Sequence, residues 1–223
     1  MKTATLTRLF SIFMGLAAAA LFGGCAAPAP YDYSAFKKSR PASMLVLPPI
    51  NETADVKATS GVMATATLPL AEAGYYVLPV ALVDETFKQN GLTTPNDIHD
   101  LPAAKLREIF GADAAVYIRV KKYGTVYIVV GSETRVTVEC RVVDLRSGQQ
   151  IWAGTATASS QEGDGANQAG LLGLLIKAVV NQIAGTVTDA SFNFSAVANQ
   201  RLLGAQTKNG ILYGPRAAEY QKE

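Results

Sequence analysis

The chain has 223 residues, with 20 Lys and Arg against 18 Asp and Glu, two cysteines and one histidine. No basic cluster exceeds Lys37-Lys38 or Lys121-Lys122, too little to neutralise a run of phosphates, so nucleic-acid binding is excluded. The single histidine also leaves little from which to build a metal cluster or a catalytic triad.

Lys2 and Arg8 precede an uncharged apolar stretch, Leu9 to Phe22, which is followed by Gly23-Gly24-Cys25. A basic start, a short apolar region and small residues before a break are the parts of an export signal. Roughly 14 apolar residues fall short of the ~20 that span a bilayer. A cysteine directly after two glycines resembles a bacterial lipoprotein signal, with Cys25 acylated and becoming the mature amino terminus; Phe22 departs from that pattern, standing where leucine is usual. Ala26, rather than an aspartate, follows Cys25 and resembles the outer-membrane sorting choice. Once Lys2 and Arg8 are removed, 18 bases face 18 acids.

Residues 25–42 hold three prolines and no period, and read as the lipidated cysteine plus a tether. Extended at ~3 Å per residue, it would span on the order of 50 Å. The folded part is expected over 43–223 as a single periplasmic domain. Met44 to Ile50 is a continuous apolar run, as in a strand covered on both faces, and Pro48 and Pro49 end its pairing. Ser60 to Ala73 places Val62, Met63, Ala66 and Leu70 at helical spacing, with Pro69 as a kink or second start and Gly74 just past the end. Tyr75 to Val80 reads as a strand and Ala81 to Asn90 as a helix stopped by Gly91. Thr94-Pro-Asn-Asp opens a further helical stretch, with Pro102 to Phe110 stopped by Gly111.

The second half is more β-like. Val116, Ile118 and Val120 alternate with polar neighbours, and Thr134 to Leu145 alternates again. Asp144-Leu-Arg-Ser-Gly148 turns the chain into Gln150 to Thr155 as a hairpin. Tyr123 to Ser132 fits either a strand or a loop. Ala169 to Val187 carries a helical stripe of Leu172, Ile176, Val179, Val180, Ile183 and Val187. Leu171, Leu174 and Leu175 widen that stripe at the helix start, making these three the candidate interface for a partner or for self-association. Phe192 to Leu203 continues helically. The order β-α-β-α-α-β-β-β-α gives an α/β domain with a mixed sheet flanked by helices.

Little in this order carries chemistry. His99 reads as a solvated loop histidine near a helix start, with only Asp97 and Asp100 nearby. Cys140 lies on an alternating strand face and reads as a small buried apolar residue; with Cys25 lipidated it has no disulfide partner. Gly163 to Gly170 lies between a strand and a helix but lacks the Lys-Ser/Thr of a phosphate loop, and reads as a flexible connection. No nucleophile, base and oxyanion site assembles, so the chain reads as non-catalytic, with no cofactor.

Met44-Leu-Val-Leu-Pro-Pro-Ile-Asn51, Pro69 to Val77, Phe110-Gly-Ala-Asp113, Val143 to Trp152 and Leu212-Tyr-Gly-Pro-Arg216 together resemble a family of bacterial outer-membrane lipoproteins, typified by a neisserial vaccine candidate. The strand ending in Leu-Pro-x-x-Asn, the strand after Ala-Gly and the Asp-x-x-Ser-Gly hairpin followed by Trp are more loosely similar to the curli secretion-channel lipoprotein and the TolB amino-terminal domain. These resemblances imply an α/β envelope domain with no catalytic residues. The expected role is an outer-membrane accessory or scaffold in a trans-envelope secretion or transport assembly, beside a curli-channel-like partner. The alternative is an activator of a peptidoglycan synthase, which the short tether disfavours.

Overall fold

The apolar run from Met44 becomes two strands rather than one. The structure, a computed structural model, describes residues 31–128, 131–162 and 190–222. In it β1 (Ser43–Val46) and β2 (Ile50–Asn51) flank the two prolines. Both pair in parallel with the same edge of β4 (Ala114–Ile128), so the prolines interrupt the ladder without turning the chain away. On the other side of β1 lies β3 (Tyr76–Val77), also parallel. It is shorter than expected because Pro79 already caps the next helix. Antiparallel β5 (Gly131–Asp144) and β6 (Gln150–Ser159) complete a six-stranded mixed sheet in the order β3-β1-β4-β5-β6. Tyr123 to Ile128 is therefore strand, the arm of a long hairpin with β5.

The helices follow their sequence signals closely. α2 (Ala58–Thr65) and α3 (Thr67–Glu72) break at Ala66, two residues before Leu68-Pro69. α4 (Val80–Gln89) packs Val83 and Phe87 inward, and Phe87 meets the Phe110 ring at 5.1 Å. α5 (Pro95–His99) is capped by Thr94, which accepts the Asp97 amide, with proline at the first helical position. α6 (Ala103–Phe110) ends at a left-handed Gly111. α7 (Ala190–Leu203) lies across β5 and β6 and against α2.

One stretch departs from expectation. Ser34 to Ser39, placed in the tether by its lack of period, forms helix α1, and Phe36 is buried. The compact unit that holds the sheet begins at Asp32, eleven residues before the expected start at Ser43.

The core lies between α7, α2 and one sheet face, where Val116, Ile118, Val120, Val138, Val142 and Trp152 are buried. Cys140 shares this face and is 5% exposed. A Cβ on Gly154 would sit 2.7 Å from the Trp152 ring and 3.1 Å from Leu202, so the indole fits only because position 154 has no side chain. Between Val120 and Lys122 a bulge shifts the register with β5. Beyond it Tyr123, an odd-numbered residue, takes the buried side that even-numbered residues occupy before it.

The C-terminal segment closes the fold. The Trp152 indole donates to the Asn209 carbonyl at 3.2 Å, and the Tyr75 hydroxyl to Leu212. The Gly214 amide donates to Ala73 at 2.7 Å, and the Arg216 amide to Gly74 at 3.1 Å. Gly74 has φ +91, and a Cβ there would fall 2.4 Å from the Ala217 nitrogen, so both conformation and space require glycine.

Candidate functional site

The opposite sheet face is covered over Ala115, Tyr117 and Val143, which are buried, and opens to solvent farther along β4, β5 and β6. Cross-strand pairing sets Tyr117 opposite Arg141 and Arg119 opposite Glu139, with Ala153 and Thr155 next in line on β6. Their alternation with the core residues puts all of them on this face. Arg119, Arg141 and Thr155 are exposed, and a groove of about 470 Å³ runs over them. Arg141 lies over the Tyr117 ring, its guanidinium carbon 4.0 Å from the centroid. Glu52, just beyond β2, takes Arg119 at 3.1 Å and also Lys121, and these partners hold its carboxyl below the usual range.

His99 closes one end of the groove, which corrects its reading as a solvated histidine. Its ring meets Tyr117 edge-on at 5.1 Å and 83°. Its Nε2 lies 3.0 Å from the Pro48 carbonyl, which can only accept, so Nε2 carries the proton. Burial lowers its pKa to about 4, the Pro48 bond opposing and the Arg141 and Arg119 charges adding to the fall. At neutral pH His99 is an uncharged wedge and a weak base. This placement escaped the sequence because its partners come from β4 and from a carbonyl 51 residues away.

Cys140 behaves as expected from its strand pattern. Burial pushes its thiol pKa far up, removing the thiolate that nucleophilic or metal chemistry would need. Among the described residues no group of three or more His, Cys, Asp or Glu is placed to hold a metal ion. Cys25, Leu171, Leu174 and Leu175, with the whole 169–187 stripe and the Gly163 to Gly170 connection, lie outside the described residues.

Two further features frame the groove. Where the chain joins the domain, the Asp144 carboxylate accepts from the Ser39 hydroxyl, the Arg146 and Ser147 amides and the Arg146 guanidinium, and this last group also reaches the Ser39 carbonyl. Asp113 accepts the Ala42 and Ser43 amides at 2.9 and 3.2 Å. At the other end of β4 the β4–β5 hairpin runs past the end of β6, with Val126 and Tyr127 62% and 86% exposed.

The mixed sheet thus carries fixed, paired charges on the open part of the face opposite α2 and α7. The chain belongs to the GNA1162-like lipoprotein family: residues 31–216 match the family described as "Putative lipoprotein GNA1162-like". The "Putative lipoprotein NMB1124/NMB1162" of Neisseria meningitidis serogroup B is 50% identical over 212 residues, which cover 94% of this chain and 98% of that protein. The crystal structure of lipoprotein GNA1162 from Neisseria meningitidis, 51% identical, superposes with a TM-score of 0.53 over 66% of this chain and all of that one. Weaker likenesses include the PelC dodecamer of Paraburkholderia phytofirmans (16% identity, 78% of this chain and 93% of that one, TM-score 0.43) and TolB of Acinetobacter baumannii (12% identity, 51% and 22%, TM-score 0.28).

Proposed function

We propose that this chain is a non-catalytic outer-membrane lipoprotein, anchored through Cys25, that serves as an accessory or scaffold component of a trans-envelope secretion or transport assembly with a curli-channel-like partner. The observation that carries the reading is the open part of the β4–β6 face, around Arg119, Arg141 and Thr155. Its side chains are held by neighbours rather than poised for reaction: Arg141 by Tyr117, Arg119 by Glu52, His99 by Pro48. Such a preorganised surface suits protein recognition, because little side-chain freedom remains to be lost on docking. Membership of a lipoprotein family supports the anchor.

The arm supports scaffolding over synthase activation. With the folded unit starting at Asp32, residues 25–31 reach at most about 25 Å at ~3.5 Å per residue. That is half the span expected when the tether was read to residue 42. The domain would be held beside its membrane rather than sent across the periplasm.

The test is in-cell photocrosslinking from positions 141 and 155 of the lipidated protein, followed by mass spectrometry. A reproducible envelope-protein adduct from both positions, lost with Arg119→Glu, is the expected result. Adducts no richer than those from an exposed position off this face, such as Glu85 on α4, would sink the reading.

A further inference from the structure

The geometry points to a second contact surface, on α1 and the C-terminal segment, that lays the domain against anionic phospholipid headgroups of the membrane holding its anchor. The inference rests on lipidation of Cys25. It begins from α1, the first element of the folded unit, where Lys37, Lys38 and Arg40 are all exposed within four residues. Asp32, just before the helix, accepts the Ser34 amide and hydroxyl. Phe36 is buried and pins the helix to the fold, while Lys37, Lys38 and Arg40 stay exposed.

Beside this basic edge lies a cleft of about 280 Å³, lined among others by Phe36, Lys37, Arg40, Tyr213 and Tyr220. Tyrosine rims with basic neighbours suit a membrane–water interface, where the ring sits among the headgroups and the cations meet phosphate. The C-terminal segment balances Arg216 and Lys222 against Glu219 and Glu223, so the positive charge comes from α1 and Arg40.

Position selects a lipid surface over a soluble anion. Seven residues from Cys25 to Tyr31 can hold Asp32, two residues before α1, within about 25 Å of the acyl chains, so the local concentration of headgroups around α1 is set by the tether and not by diffusion. Basic residues next to a lipid anchor strengthen attachment to anionic bilayers, and salt weakens that term. The Ser39–Asp144–Arg146 contacts fix α1 to the β5–β6 turn, so a docked α1 orients the whole sheet.

The test uses the full lipidated protein, purified from membranes and placed in vesicles of phosphatidylcholine alone or with about one-third phosphatidylglycerol. Hydrogen exchange of the α1 amides is then compared between the two. Exchange at least about 5-fold slower in the anionic vesicles, with the difference gone at about 0.5 M salt, is expected. Lys37→Gln/Lys38→Gln/Arg40→Gln should abolish the difference while β4 and β5 remain protected. Protein attached to both vesicle types but exchanging equally in α1 overturns the docking and leaves the anchor intact. Attachment to neither overturns the anchor, and the docking with it. If the triple variant does not fold, the wild-type comparison between vesicles still decides.

Discussion

The Ser39 hydroxyl donates to the Asp144 carboxylate across 105 residues of sequence, joining the last residue of α1 to the turn that begins the β5–β6 hairpin. The carboxylate is 5% exposed, and its partners make one network out of two distant segments. Burial would raise the Asp144 pKa, but the donors from Ser39, Ser147 and Arg146 outweigh it and hold the group well below the carboxylate range. Asp144→Asn keeps the shape but leaves the Arg146 guanidinium without its countercharge, and should cost about 1–3 kcal/mol in urea unfolding. Ser39→Ala should cost about 1 kcal/mol. Because the pair is coupled, the double variant should lose less than the sum.

His99 predicts an acid-side loss of stability. Its folded pKa, about 4, lies below the ordinary 6.5, so the unfolded chain takes a proton that the folded chain refuses. Stability therefore falls as pH drops from 6.5 towards 4, by about 2 kcal/mol once its exposed ring edge is allowed for. Asp144, depressed below 3.8, does not titrate in this window. His99→Gln, which can still donate to Pro48, should flatten that part of the profile in denaturation followed from pH 7 to 4. An unchanged slope would contradict the assignment.

Gly154→Ala should destabilise by about 1–3 kcal/mol through overpacking against Trp152 and Leu202, and Trp152 fluorescence should shift with it. Gly74→Ala should be worse, since strain at φ +91 adds to a collision with the Ala217 backbone. Cys140→Ala should cost at most about 1–2 kcal/mol, and the native thiol should resist alkylation until the protein unfolds.

Most of the regular elements were readable because their signals are local. Gly111 stops α6, Thr94 caps α5, and the strand from Val116 alternates in phase. α1 was not readable: one buried residue, Phe36, gives no period, and its hold on the fold comes from Asp144, far along the chain. Tyr123 to Ile128 was ambiguous because the bulge at Lys121 switches which parity faces the core. The groove was scattered through the sequence as Tyr117, Arg119, Glu139 and Arg141, ordinary alternating polar positions. Only pairing in register makes them one surface, and nothing in a single strand announces which part of its outer face will stay open.

The anchor and the 169–187 stripe lead to separate expectations. Cys25→Ala should leave an unprocessed or soluble species, read by membrane fractionation, and normal processing with outer-membrane attachment would refute lipidation there. Leu171→Glu/Leu175→Glu should abolish any oligomer seen by sedimentation while the circular dichroism is kept. Loss of the fold instead would place these leucines in the core.

The seam formed by residues 209–216 sets an order of events in the life of the chain. Its bonds run to Ala73, Gly74, Tyr75 and Trp152, so the earliest helices and the last strand share one late-arriving clasp. A ribosome or translocon delivers that clasp after nearly everything it holds. Contacts of such sequence separation form slowly and only once the intervening chain is free to close. Under the export we propose, this would act as a built-in delay: the polypeptide would stay pliable in transit and lock once residues 209–216 are free to close on the rest.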